Sequence, residues 1–229
     1  MERVRSIIEA MTRAAIVVTA AALALGTAGL ARAPEESTDG VVAGLESWLA
    51  GTRTLAAHFR QTLVSGALGT SATEQGRLYL ERPGKLRWDY AEPDPKIALL
   101  LGDHTFLYLE DDRQYVRGRL GLDQALFPRL LAGRERVGDL FRARLTATPR
   151  SGGHGDYKLR LTPADAPAGL AVVTLTLAPP EFSILAAEVV DAAGNRTVYA
   201  LDDLVRNRPL PDGIFGFEPP PGTEIVDQP

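Results

Sequence analysis

No cysteine occurs in this chain of 229 residues, so disulfides, thiolate metal sites and cysteine nucleophiles are excluded whatever the redox compartment. Histidine is almost as scarce. His58 falls on the polar face of a strand pattern beside Arg60, His104 follows a turn signal, and His154 stands in Gly152-Gly153-His154-Gly155. None has a ligand spacing such as His-Glu-x-x-His, and all three read as surface residues rather than metal ligands. Gly-x-Ser-x-Gly is missing, and Ser65, Ser71, Ser151 and Ser183 lie in ordinary strand or turn contexts, which argues against a serine hydrolase. Neither glycine-rich phosphate-binding motif appears, so no nucleotide cofactor is expected. The net charge of −4, with Lys and Arg dispersed among Asp and Glu, provides no basic stripe for a nucleic acid. Carboxylates are plentiful, but Glu110-Asp111-Asp112 reads as a solvated turn, and no acid–base pair can be assembled from sequence.

The first thirty-odd residues differ from the rest. Arg3, Arg5 and Arg13 form a basic region, an apolar stretch runs from Ala14 to Ala31, and Ala31-Arg32-Ala33 supplies small residues at cleavage spacing. The stretch is rich in Ala and Gly, and its strongly apolar core of roughly 15 residues is short for a stable membrane span. Residues 1–33 are therefore expected to be a secretory signal cut between residues 28 and 33, and residues 34–229 a single exported domain. Pro34 after Ala33 disfavours the last of these cuts, and retention of the signal as an anchor is the alternative.

Downstream, Thr38 and Asp39 suit an N-cap and a negative first turn, and Val41, Val42, Leu45, Trp48 and Leu49 recur at helical spacing up to Gly51. From Leu55 the period becomes two: Leu55, Ala57, Phe59, Gln61 and Leu63 share one face. Gly76, Leu78 and Leu80, then Leu86, Trp88 and Tyr90, alternate with polar residues around the turn Arg82-Pro83-Gly84. Further strands are expected at 97–101, 106–109, 114–118, 141–148, 157–162, 171–177, 182–191 and 196–204. Between them Leu122, Ala125, Leu126, Phe127, Leu130 and Leu131 cluster at near-helical spacing, where Pro128 kinks or restarts a helix before Gly133. The class is mainly β with a few helices, arranged as one curved antiparallel sheet or open barrel. On pattern alone, the inward set of Leu78, Leu80, Leu86, Trp88 and Tyr90 fits either a packed core or a ligand cavity.

The run Leu80-Glu81-Arg82-Pro83-Gly84-Lys85-Leu86-Arg87-Trp88-Asp89-Tyr90, closed by Pro93, resembles the LolA family of outer-membrane lipoprotein carriers. The likeness extends to Phe59-Arg60-Gln61 and Gly76 upstream, and to Tyr108, Gln114-Tyr115-Val116, Asp191 to Thr197 and Phe215-Gly216-Phe217 downstream. It implies an incomplete β-barrel closed by helical lid segments around a cavity for lipoprotein acyl chains. The cavity is then expected from Leu78, Leu80, Leu86, Trp88 and Tyr90 on strands, with Leu126, Phe127 and Leu130 from the middle cluster. It also implies that Arg82 hydrogen-bonds lid backbone and holds the empty cavity closed, the alternative being an exposed turn arginine. The implied partners are acylated lipoproteins as cargo, an inner-membrane ABC-type transporter as donor and an outer-membrane acceptor, with the carrier a periplasmic monomer and not an enzyme.

Two positions depart from the family pattern. Leu86 replaces a usual aromatic residue, which bears on cavity shape, and Gly102-Asp103 reverses the commoner turn order. An acylated acceptor of the same architecture needs a cysteine, and none is present, which favours the soluble shuttle. The competing reading is a LolA-like regulatory or structural module that binds a protein partner or another amphiphilic lipid. In the exported form, intact-mass measurement is expected to place the N-terminus between residues 29 and 34. An intact Met1 in a membrane fraction would refute cleavage.

Overall fold

The computed structural model describes residues 37–119, 126–133, 135–149, 155–164 and 172–228. The expected signal, Leu122, Ala125, His154 and the side chain of Leu126 lie outside the described residues. The expected helix is α1 (Thr38–Ala50), with Val41, Leu45, Trp48 and Leu49 buried on one face. Its N-cap is Ser37 rather than Thr38: the Ser37 hydroxyl accepts the Gly40 N–H at 3.1 Å and satisfies one of the orphan donors of the first turn. Thr38 is left to tie the helix to the sheet, its Oγ1 accepting the Leu145 N–H at 3.2 Å.

The first meander comprises β1 (Thr54–Val64), β2 (Ser71–Glu81), β3 (Lys85–Glu92), β4 (Lys96–Leu101), β5 (His104–Leu109) and β6 (Gln114–Arg119). Two short helices follow, α2 (Leu126–Ala132) and α3 (Val137–Leu140). Pro128 falls in the first turn of α2, where a missing N–H costs no hydrogen bond, so it opens the helix and does not kink it. A second meander runs through β7 (Phe141–Ala147), β8 (Tyr157–Pro163), β9 (Val172–Ala178), β10 (Ser183–Val190) and β11 (Arg196–Arg206). Antiparallel pairing of β11 with β1 joins the two into one sheet. The sheet is open, with the order β12-β6-β5-β4-β3-β2-β1-β11-β10-β9-β8-β7.

Two elements escape the pattern in the sequence. One is α3, a single turn. The other is β12 (Glu224–Asp227), which pairs in parallel with β6 and so departs from the expected all-antiparallel sheet. Arg117 pins it, donating to both carboxylate oxygens of Asp227 at 2.8 and 3.0 Å.

Strand order explains where the helices go. β6 lies beside one edge and β7 is the other edge, so the chain between them has to travel from one side of the sheet to the other. On that path α2 packs against β2 and β3, while α1 and α3 pack against β7. The result is one apolar core that takes side chains from α1, α2, β1, β2, β3 and the whole second meander. Leu63, expected on the inner face, is exposed because β1 continues past the end of that core.

Two glycines mark close approaches. At Gly76, beside a register shift between β2 and β3, a Cβ would lie 1.9 Å from the Asp89 carbonyl oxygen, so only glycine lets the strands meet there. At Gly44 in α1, a Cβ would lie 2.3 Å from the ring of Phe182, which is stacked on Tyr157 at 5.3 Å. Gly→Ala inside a helix ordinarily stabilises by up to about 1 kcal/mol. Here overpacking wins: Gly44→Ala is expected to lower stability by about 1–3 kcal/mol in urea denaturation, and a rise in stability would contradict this packing.

Candidate functional site

The inner face of the sheet is ordered in rows set by register. Leu100, Leu86, Leu80 and Leu55 are successive cross-strand partners on β4, β3, β2 and β1, at the end where Gly84 and Gly102 make the turns. Next along the strands come Ala98, Trp88, Leu78 and Ala57, and then Tyr90, Gly76 and Phe59. Leu55, Leu78, Leu80 and Leu86 are fully buried, Trp88 is nearly so, and Tyr90 is half-buried. Phe59 meets the rings of Trp88 and Tyr90 edge to face at 4.8 and 4.9 Å, the preferred aromatic geometry.

α2 covers these rows. Phe127 and Leu130 are buried in the same core, and the Phe127 ring lies 5.1 Å from Tyr199, itself 5.3 Å from Trp88. Seven of the eight residues expected from sequence thus meet in one cluster, while the side chain of Leu126 lies outside the described residues. The hollow is filled by the protein's own helix rather than left vacant at this point.

The C-terminal end of α2 is held by two backbone-directed bonds. Arg82 donates from Nη2 to the Gly133 carbonyl at 2.6 Å, and the Gly84 N–H donates to the Ala132 carbonyl at 2.8 Å. These carbonyls belong to the last turn and have no partner within the helix. Arg82 is therefore not an exposed turn arginine. Burial pushes its pKa below the usual arginine range, and its Nη1 has no hydrogen-bond partner among the described residues. Beside this tether lies a cleft of about 850 Å³, lined among others by Leu100, Leu101, Ala132 and Phe215 and rimmed by Lys85 and Arg129.

At the other end the rows turn polar, which sequence reading did not anticipate. Lys96 of β4 reaches across β3 to form an ion pair with Glu74 of β2, and its Nζ sits 4.5 Å from the Tyr90 ring centroid. The Tyr90 hydroxyl donates to Gln61 Oε1 at 2.8 Å, and Gln61 is flanked in the register by Glu74 and Tyr199. Only Gln61 was visible beforehand as an inward polar residue, because Glu74 and Lys96 lie at or near strand ends, where alternation gives little signal.

On the opposite face His58 meets Asp202 and Asp203, their ligand atoms lying within 4.8 Å of one another and all three side chains exposed. The β1–β11 pairing, with a register shift at Ala56/His58, brings them together. Arg77 is the cross-strand neighbour of His58 on β2, so the group is a mixed, solvated charge patch.

The family model described as outer membrane lipoprotein carrier protein LolA matches residues 50–218. The chain belongs to this family. Two relatives, each described as an outer-membrane lipoprotein carrier protein, extend the match over nearly the whole length. That of Chromobacterium violaceum is 28% identical over 92% of this chain and 96% of its own. That of Pseudomonas paraeruginosa is 29% identical over 91% and 96% respectively. An uncharacterized conserved protein of Thermus thermophilus, 12% identical, superposes with a TM-score of 0.53 over 83% of this chain and 98% of its own, a likeness of fold alone. LolA proteins are lipoprotein carriers and not enzymes. Among the described residues no helix is long and apolar enough to cross a membrane.

The buried tyrosines give a pH signature. Burial, with Glu74 nearby, pushes Tyr199 up to about 12 from 10.0, and Tyr90 is raised further. A raised folded pKa leaves stability intact below the unfolded value of 10.0 and erodes it as pH climbs towards about 12, because the unfolded chain ionises first. Thermal melting across that window is expected to fall less steeply for Tyr199→Phe than for the parent chain; parallel curves would contradict the burial.

Proposed function

We propose that this protein is a periplasmic carrier that shields lipoprotein acyl chains between the inner and outer membranes. It takes cargo from an inner-membrane ABC-type transporter and delivers it to an outer-membrane acceptor, acting as an exported monomer. The observation that supports this reading best is the covered inner face: α2 fills the hollow with Phe127 and Leu130, yet its end is tethered mainly through Arg82 and Gly84 beside an open apolar cleft.

A lipoprotein with three acyl chains exposes roughly 40 methylenes, at about 0.8 kcal/mol each, so it leaves a bilayer only if something replaces the bilayer's contacts. A sheet suits that task, since its backbone bonds are satisfied along the strands and one face is free to present Leu, Trp and Tyr. Release demands a competitor. α2 supplies one by exchanging with the acyl chains for the same rows, so affinity is reduced by whatever stabilises the closed form. Arg82 is the switch element in this scheme, because its bond to Gly133 exists only while α2 is seated. Loss of that bond leaves a half-buried cation short of a partner, which favours closure whenever cargo is absent.

The purified exported protein is expected to take up a fluorescent fatty acid and to bind an acylated lipoprotein. Phe127→Asp is expected to weaken lipoprotein binding about tenfold or more, the equivalent of losing one well-buried apolar side chain. A chain that takes up no fatty acid, and whose Phe127→Asp variant binds lipoprotein unchanged, would be a partner-binding module with a filled core.

A further inference from the structure

The inner face has a direction, and the cover on it does not account for both ends. Along β1 the inward side chains run from Leu55 through Ala57 and Phe59 to Gln61, all buried. The corresponding partners run from Leu80 to Glu74 on β2 and from Leu86 to Tyr90 on β3, with Lys96 opposite Tyr90 and Tyr199 opposite Gln61. One end is purely aliphatic. The other is a band of five polar side chains, Lys96, Tyr90, Glu74, Gln61 and Tyr199, crossing five adjacent strands.

Such a band is costly if its purpose is only to close a core, because each polar group loses water and has to find partners. Its members are also incompletely engaged with one another. Lys96 has three N–H donors and meets one Glu74 oxygen, while Gln61 accepts from Tyr90 through Oε1, which does not use its two Nε2 hydrogens. Glu74 and Lys96 keep 15% and 21% of their side-chain surface, so both remain reachable from solvent. Within the band, two of the Lys96 N–H donors and both Gln61 Nε2 hydrogens are left over from these bonds, which suits a ligand that brings carbonyl oxygens.

We infer that an acylated ligand seats its ester or amide carbonyls on the band of Lys96, Tyr90, Glu74, Gln61 and Tyr199, with its chain termini pointing towards Leu80, Leu86 and Leu100. The six steps from Gln61 to Leu55 span about 20 Å along β1, the scale of one extended long acyl chain. Entry in this sense drives the chain end under Phe127 and on towards the Arg82–Gly133 tether, so that binding depth and release of α2 are coupled. The inference rests on the carrier reading above and adds to it the orientation of the cargo.

The two tryptophans have different neighbours and so report the orientation, the Trp88 ring touching a member of the band and Trp48 lying by the aliphatic end. Trp88 lies 5.3 Å from Tyr199, whereas Trp48 lies 5.0 Å from the guanidinium of Arg206, the cross-strand partner of Leu55. Methyl stearate carrying a nitroxide next to the ester should quench Trp88 about fivefold more than Trp48 in single-tryptophan variants, the discrimination that one net hydrogen bond provides. The same ester with the nitroxide at the chain terminus should reverse the ratio. In the unaltered chain, methyl stearate with a photoreactive group at its terminus should cross-link near Leu80, Leu86 and Leu100. Equal or inverted quenching, or cross-links at Gln61 and Tyr199, would overturn the orientation while leaving acyl binding intact. Neither quenching nor cross-linking by any of these esters would overturn the carrier reading itself, and this inference with it.

Discussion

An open sheet with one apolar face needs a cover, and the rest of this structure follows from how that need is met. Backbone hydrogen bonds run along the strands and are indifferent to what lies above them, so the rows from Leu55 to Leu100 are free to accept any apolar surface of the right depth. Strand order puts the connection between β6 and β7 over that face, and α2 is the piece of it that bears Phe127 and Leu130. A short helix has little stability of its own, since nucleation costs more than one or two turns return. It persists here because the rows bury it and because Arg82 and Gly84 satisfy its terminal carbonyls.

That division of labour separates what holds the domain from the cover laid over it. α1 is anchored by Ser37 at its start, by Thr38 to β7, and by Phe182 against Gly44, all contacts independent of α2. The sheet and the first helix are thus held by contacts in which α2 takes no part. The second meander keeps its own buried set of Leu159, Leu161, Val173, Leu175, Leu177 and Ile184, a substantial core that does not depend on α2.

Much of this was legible beforehand, for physical reasons. Period-two alternation punctuated by Gly, Pro and Asn marks strands wherever one face is buried, and ten of the twelve strands lie within a few residues of the expected positions, β2 starting earlier and β12 unforeseen. The rows themselves were legible as an inward set, but whether helix or ligand covers them is a matter of long-range topology. The Ser37 cap was missed by one position because Ser, Thr and Asp cap about equally well and local sequence does not rank neighbours. Arg82 and Gly133 are 51 residues apart, and no local rule joins them; only the family resemblance pointed there. The polar band is invisible for a similar reason: Gln61, Glu74 and Tyr199 become one group through register, which a single strand does not encode.

The tail strand β12 has its own bearing on a molecule built around an open sheet. Unpaired strand edges invite other chains to add on, and a sheet that cannot close has two of them. At one border the chain's last residues lie alongside β6 and are clipped there by Arg117 and Asp227. At the other, β7 sets Arg142 and Arg144 outward on its exposed positions, where stacking a second copy would bring like charges together. Each border is thus blunted by a different device, which leaves a second copy of the chain little open backbone on which polymerisation could start.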